Sequence, residues 1–384
     1  MDCQAKDKQY VAGTYARFPV TISHGKGSEV FDTDGKRYID MGSGIGVTAL
    51  GIADDGWVAA VTAQLGAVQH MSNLYYTSPC ADLAERLCTR TGMDKVFFGN
   101  SGAEANECAV KVARKYGADK GRHVILTLQN SFHGRTLTTL AATGQDHFHT
   151  LFQPLTPGFV HTPANDIEAL RAAVEEHDPA AILFECVQGE GGVLPLTDEF
   201  VKEMAALCEA RDMLLMVDEV QTGNGRTGAL YAYMHYGISP DVVTTAKGLG
   251  GGLPIGATMM SKKVSSVLGA GDHGSTYGGN PIAAAGACHV LDRLTDDLLC
   301  EVREKAAHAV ARLNGAPGVK AVSGKGLMLG IETEKSAGDV VRECLKRGVL
   351  CLTAKTKVRL LPALTIPQAM LDEALDVLLA VCAE

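Results

Sequence analysis

Five short apolar runs constrain the fold of this chain more than any other feature. They are DKVFFGN (94–100), HVILTLQN (123–130), AAILFECVQGEGG (180–192), MLLMVDEV (213–220) and PDVVTTAK (240–247). Each apolar core is strand-sized, and each is followed by polar or glycine-rich residues. Helical stretches lie between them; SGAEANECAVKVARKYG (101–117) is amphipathic. Interleaved strands and helices imply a mostly parallel sheet flanked by helices, an α/β fold. Open sheets of this kind bind ligands at the carboxyl ends of their strands, where the polar groups of these runs cluster.

The flanking sequence has another texture. Residues 1–50 read as short strands and turns, with a hairpin signal at Asp34-Gly35. Residues 56–70 and 78–91 read as helices, with the loop SNLYYTSP between them. After about 285, helical stretches at 281–313 and 336–348 flank GVKAVSGKGLMLGIE, a strand–turn–strand pattern. KVRLLPALTI adds a strand and a final helix closes the chain. A chain of 384 residues is long for one core. The expected division is an N-terminal segment (1–50), a large domain (51–284) and a C-terminal part (285–384). The first and last together make a smaller α+β domain.

The strand ends carry the chemistry. Lys247 follows a buried run and precedes Gly248, Gly250, Gly251 and Gly252. A lysine held in a cleft loses hydration, which lowers its pKa and frees the amine to form a Schiff base. Asp218 ends the preceding strand, and an aspartate is the usual partner of a pyridoxal ring nitrogen. Ser101 opens a helix, which suits either a phosphate or an ordinary N-cap. Arg135 follows a strand end, and Arg359 lies in an apolar strand where an unpaired charge is costly. Arg359 therefore needs an acidic partner or an anionic ligand.

Other patterns point away from rival chemistries. Gly223–Gly228 fits G-x-G-x-x-G, but a strand end already precedes it and no acid follows at the required distance. His133, His147, His149 and His161 lack metal-ligand spacing. The net charge of -9 opposes a nucleic-acid groove. The 11 cysteines are scattered without a C-x-x-C pair, as in a reducing cytoplasm. No stretch approaches the ~18 apolar residues of a membrane span.

Taken together, NSGAEANE (100–107), SFHGRT (131–136), VQGEGGV (187–193), VDEVQTGNGRTG (217–228), TTAKGLGGGLPIGA (244–257) and GSTYGGNP (274–281) resemble the class III, fold-type I pyridoxal-phosphate aminotransferases. The resemblance covers most of the chain and is nearest to the acetylornithine aminotransferase group. It implies pyridoxal 5'-phosphate as cofactor, with Lys247 as the Schiff-base lysine that later moves the proton. It implies Asp218 at the ring nitrogen, Gln221 at the ring hydroxyl, Phe132 stacked on the ring, and Ser101, Gly102 and Ala103 at the phosphate. Thr276 would reach the phosphate of a neighbouring subunit, making a homodimer with shared active sites. Arg135 would hold a substrate carboxylate. Arg359 would hold the α-carboxylate of glutamate or 2-oxoglutarate, with Glu190 neutralising Arg359 when an ω-amine donor is bound.

The expected reaction moves the δ-amino group of N-acetylornithine to 2-oxoglutarate, giving N-acetylglutamate 5-semialdehyde and glutamate, as in arginine biosynthesis. Succinylornithine, 4-aminobutyrate and ornithine are the alternative donors. Residues 52–55 and Cys186 depart from the family pattern. Ile45 stands where ornithine aminotransferases carry a tyrosine, which favours an acylated donor.

Overall fold

The computed structural model describes residues 2–384. An N-terminal antiparallel meander is made by β1 (Ile22–Lys26), β2 (Glu29–Asp32) and β3 (Arg37–Asp40). The central strands are β4 (Lys95–Gly99), β5 (Ile125–Leu128), β6 (Phe159–Thr162) and β7 (Ala181–Phe184). A small ribbon, β8 (Val187–Gln188) and β9 (Leu194–Pro195), follows. β10 (Leu214–Asp218), β11 (Val242–Thr245) and β12 (Gly256–Met260) complete the middle of the chain. The C-terminal strands are β13 (Val319–Lys325), β14 (Met328–Thr333), β15 (Val349–Leu350), β16 (Leu352–Ala354) and β17 (Lys357–Leu360).

The large sheet runs β4-β12-β11-β10-β7-β5-β6. β10 pairs parallel with β11 and β7, and β5 pairs parallel with β7 and β6. β12 alone is reversed, antiparallel to both β11 and β4. The apolar runs 94–100 to 240–247 account for every strand of this sheet except β6 and β12. The structure adds β12, which the sequence hides because it follows directly on the glycine-rich loop. β5, β7, β10, β11 and β12 are buried along their whole length, as strands covered by helices on both faces must be.

The helix expected at 56–70 is shorter, Asp55–Leu65, and ends at Gly66. The 78–91 helix is present as Ser78–Thr91, stopped by Gly92 in the left-handed conformation. The 281–313 stretch divides into Pro281–Arg293 and Asp296–Leu313, where Thr295 caps the second helix by accepting from Leu298 N–H. The first of these helices spans the expected boundary at 284/285.

β15 pairs parallel with β3, so the N-terminal meander joins C-terminal residues in one sheet. A second sheet, β13-β14-β17-β16, is antiparallel. The glycine-rich segment Gly42–Gly46 includes one left-handed turn: Ser43, Gly44, Ile45 and Gly46 all have φ between 47° and 74°. Glycine adopts this backbone freely, whereas a β-branched isoleucine does not. No helix is long and apolar enough to cross a membrane among the described residues.

Candidate active site

The carboxyl ends of the parallel strands open on a cavity of about 410 Å³. Lys247, Asp218, Gln221, Phe132, Arg135, Ser101, Gly102 and Ala103 all line it. Eight of the residues singled out from the sequence therefore converge on one space.

Lys247 leaves β11 with φ +42, a left-handed value that a lysine does not favour. Burial lowers its pKa from the ordinary lysine value, which makes the neutral amine more accessible. Asp218 ends β10 and is 3 % exposed. Its Oδ2 accepts from Asn106 Nδ2 at 2.7 Å and pairs with His133 Nδ1 at 2.8 Å. Its Oδ1 accepts from Val220 N–H at 3.0 Å. Asn106 is itself oriented, because its Oδ1 accepts from Thr244 Oγ1 at 2.7 Å. The aspartate is thus fixed from the helix below it, from the loop after β5 and from its own strand.

His133, Asn106, Val220 and Glu185 also line the cavity and were not singled out for this site from sequence. His133, which reads from sequence as a core or solvated histidine, belongs to the site through Asp218. Glu185 directly follows β7; its Oε2 accepts from Phe132 N–H at 2.9 Å. Burial, reinforced by the neighbouring Asp218, pushes the Glu185 carboxyl well above the usual carboxylate range.

The helix Gly102–Gly117 points its N-terminus at the same cavity. Ser101 acts as its N-cap, accepting from Glu104 N–H at 3.2 Å. A Cβ at Gly102 would come within 2.7 Å of Val220 Cγ1, so only glycine allows this close approach. Free N–H groups at a helix start suit a phosphate.

Glu190 and Arg359 lie beside the cavity, joined through Gln221. Arg359, in β17, is 3 % exposed. Its NH1 donates to Glu190 Oε1 at 2.6 Å and to Gln221 Oε1 at 3.1 Å. Glu190 is in the turn between β8 and β9. Burial raises the Glu190 pKa, but the Arg359 guanidinium outweighs this and holds the carboxyl below its ordinary range. The acidic partner that Arg359 requires is therefore Glu190. Arg135 is exposed at the cavity edge, its guanidinium 4.7 Å from the Phe148 ring centroid. Thr276 does not line the cavity of its own chain and is exposed.

The departures from the family pattern are built into the scaffold. Asp54 caps the helix Asp55–Leu65 and binds His289 at 3.1 Å and Arg293 at 3.0 Å. Cys186 is fully buried, and its carbonyl accepts from Leu196 N–H at 3.0 Å. Ile45 is exposed on the left-handed turn, two residues before the cavity-lining Val47.

These residues fit pyridoxal phosphate. The amine and the aspartate share one cavity, a helix N-terminus faces it, and Phe132 and Val220 supply apolar wall.

The "Aminotransferase class-III" family model matches residues 10–382. The chain is 51% identical over 383 residues to the acetylornithine aminotransferase of Haemophilus ducreyi, covering 98% of each protein. Its fold superposes on the N-acetylornithine aminotransferase of Stenotrophomonas maltophilia with a TM-score of 0.85 at 36% identity, covering 99% of this chain and 98% of that one. The ornithine aminotransferase of Toxoplasma gondii, crystallised with partial occupancy of PLP at its active site, gives a TM-score of 0.94 at 32% identity. That match covers 99% of this chain and 93% of the other. With Lys247 and Asp218 at adjacent strand ends and the match running nearly end to end, this chain belongs to the class-III aminotransferases.

Proposed function

We propose that the protein transfers the δ-amino group of N-acetylornithine to 2-oxoglutarate, with pyridoxal phosphate as cofactor. The products are N-acetylglutamate 5-semialdehyde and glutamate. The observation that carries this reading is the Glu190–Arg359 pair beside Lys247. One cavity must accept a donor whose reacting end is uncharged apart from its amine and an acceptor whose reacting end bears a carboxylate. A carboxylate that reversibly neutralises the arginine lets both use the same space.

Pyridoxal phosphate, when bound, supplies an electron sink for the pair released at the reacting carbon. The chain's residues do the rest. Lys247 holds the cofactor and moves the proton with Nζ. Asp218, held by Asn106 and His133, binds the ring nitrogen, and Gln221 binds the ring hydroxyl. Phe132 packs on the ring, and Ser101, Gly102 and Ala103 hold the phosphate. Arg135 binds the distal carboxylate of either substrate. Arg359 binds the α-carboxylate of 2-oxoglutarate once Glu190 has moved aside.

The same reading makes the protein a cytoplasmic homodimer. The exposed Leu74, Tyr75, Tyr76 and Tyr277 form an apolar surface suited to a second copy, and exposed Thr276 would reach the partner's phosphate site. Free cysteines throughout suit a reducing compartment. Residues 51–284 form the large domain, with 1–50 and 285–384 making the small one; the β3–β15 pairing supports grouping the two termini.

Steady-state kinetics across four donors test the substrate. N-acetylornithine is expected to give the highest kcat/KM with 2-oxoglutarate. A higher value for N-succinylornithine, 4-aminobutyrate or ornithine would keep the aminotransferase and replace the donor.

A further inference from the structure

The segment Gly223–Gly228 matches a nucleotide-binding spacing and has no part in the chemistry above. It forms a buried loop between the two halves of the site. Asn224 Nδ2 donates to Thr245 Oγ1 at 2.9 Å and to the Ala246 carbonyl at 3.1 Å. Ala246 immediately precedes Lys247, whose left-handed φ needs support from its surroundings.

On the other side, Arg226 is 2 % exposed and has no acidic partner among the described residues. Its NH1 donates to the Leu327 carbonyl at 3.0 Å and to the Pro362 carbonyl at 2.5 Å. Its own carbonyl accepts from Leu327 N–H at 3.0 Å. Pro362 follows β17, the strand that carries Arg359. Burial lowers the Arg226 pKa to about 10. A buried guanidinium without a counterion is costly; here NH1 is satisfied by two carbonyls, while NH2 is buried with no partner. Between these two residues, Gly225 packs closely, and a Cβ there would come within 2.9 Å of the Leu294 and Leu364 methyls.

We propose that the loop Gly223–Gly228 is a positioning element that supports the Lys247 turn at one end and the Arg359 strand at the other. Asn224 holds the turn carrying the amine, and Arg226 holds the end of the strand carrying the carboxylate-binding arginine. The proposal rests on the aminotransfer reading, in which Arg359 is exposed to the acceptor and masked by Glu190 for the donor. Arg226 therefore matters more for dicarboxylates, and Asn224 more for reaction at the amine.

The test uses holoenzyme and two substitutions. Arg226→Gln is expected to weaken equilibrium binding of glutarate, an unreactive dicarboxylate, about tenfold. It should change the absorbance-monitored donor half-reaction by less than about twofold. Arg226→Lys should recover part of the glutarate affinity. Asn224→Gly keeps a backbone at φ +55 accessible while removing the side-chain donor. It is expected to slow the donor half-reaction about tenfold and leave glutarate affinity within about twofold.

A general packing defect would instead lower the thermal midpoint and depress both readouts together. Equal losses in both readouts, or unchanged glutarate affinity in Arg226→Gln, would overturn the proposal. If Arg226→Gln does not fold, an unaltered donor half-reaction in Asn224→Gly would overturn it alone. Wild-type holoenzyme that reacts with no amino donor would defeat the aminotransfer reading instead, and glutarate binding would still report on the Arg226 link.

Discussion

The cluster around Asp218 and the pair formed by Glu190 and Arg359 are both charged and both largely buried, yet they are built differently. Asp218 is held on three sides by a helix and by loops at the ends of the large sheet: Asn106, His133 and Val220. Arg359 belongs to a C-terminal strand and meets Glu190 across the junction, with Gln221, in the loop after β10, as a further hydrogen-bond partner. The first arrangement has no slack, as chemistry requiring fixed donors demands. The second joins separately supported elements through one ion pair, so a competing carboxylate can replace one partner at modest cost. On the proposed reading, the cluster around Asp218 holds the reaction and the junction chooses what reacts.

This contrast can be broken from either side. Lys247→Ala is expected to have the largest effect, a loss of roughly 10⁴-fold or more in kcat, since proton transfer and cofactor attachment both depend on one amine. After borohydride reduction, the wild type should keep the cofactor covalently attached on denaturation and the variant should not, read by mass spectrometry. Asp218→Asn comes next, with about 10²–10³-fold lost from kcat and a thermal midpoint measured alongside. Retained activity in either variant would mean that the strand ends are not the reaction centre.

Smaller effects sharpen the junction's role. Glu190→Gln leaves Arg359 unmasked, so the kcat/KM ratio of N-acetylornithine to glutamate as donors should fall about tenfold. Smaller still is the pH response. The Glu190 pKa is depressed in the folded protein, so the pair's stabilisation is present above the ordinary glutamate pKa and is lost only as pH falls through the lower folded value. Between about pH 6 and about pH 9 the donor ratio should therefore change by less than about twofold. A steep change over that range, measured with both donors, would remove Glu190 from the gate.

The two regions also differed in how far they could be read from sequence. The strand ends were legible because a buried parallel strand must be apolar, so Asp218 and Lys247 stand out at its close. Arg359 was legible as a charge in an apolar strand, and the family resemblance supplied Glu190, 169 residues away, as its partner. No local pattern encodes a separation of that size. His133 and Asn106 were missed as site residues because their roles come only from meeting Asp218 in space. β12 was hidden by the adjoining glycines, and the left-handed turn at 43–46 by glycine's freedom to adopt any backbone. Thr276 shows the limit in another form, since its expected role belongs to a second copy of the chain.

The most direct measurement is the absorbance spectrum of the purified holoenzyme, recorded before and after N-acetylornithine and again after 2-oxoglutarate. The bound-cofactor band should shift with the amino donor and return with the acceptor, showing both half-reactions in one cavity. A band that ignores N-acetylornithine but shifts with glutamate would contradict the proposed donor. A spectrum with no cofactor band, even after addition of pyridoxal phosphate, would contradict the assignment of Lys247 and Asp218.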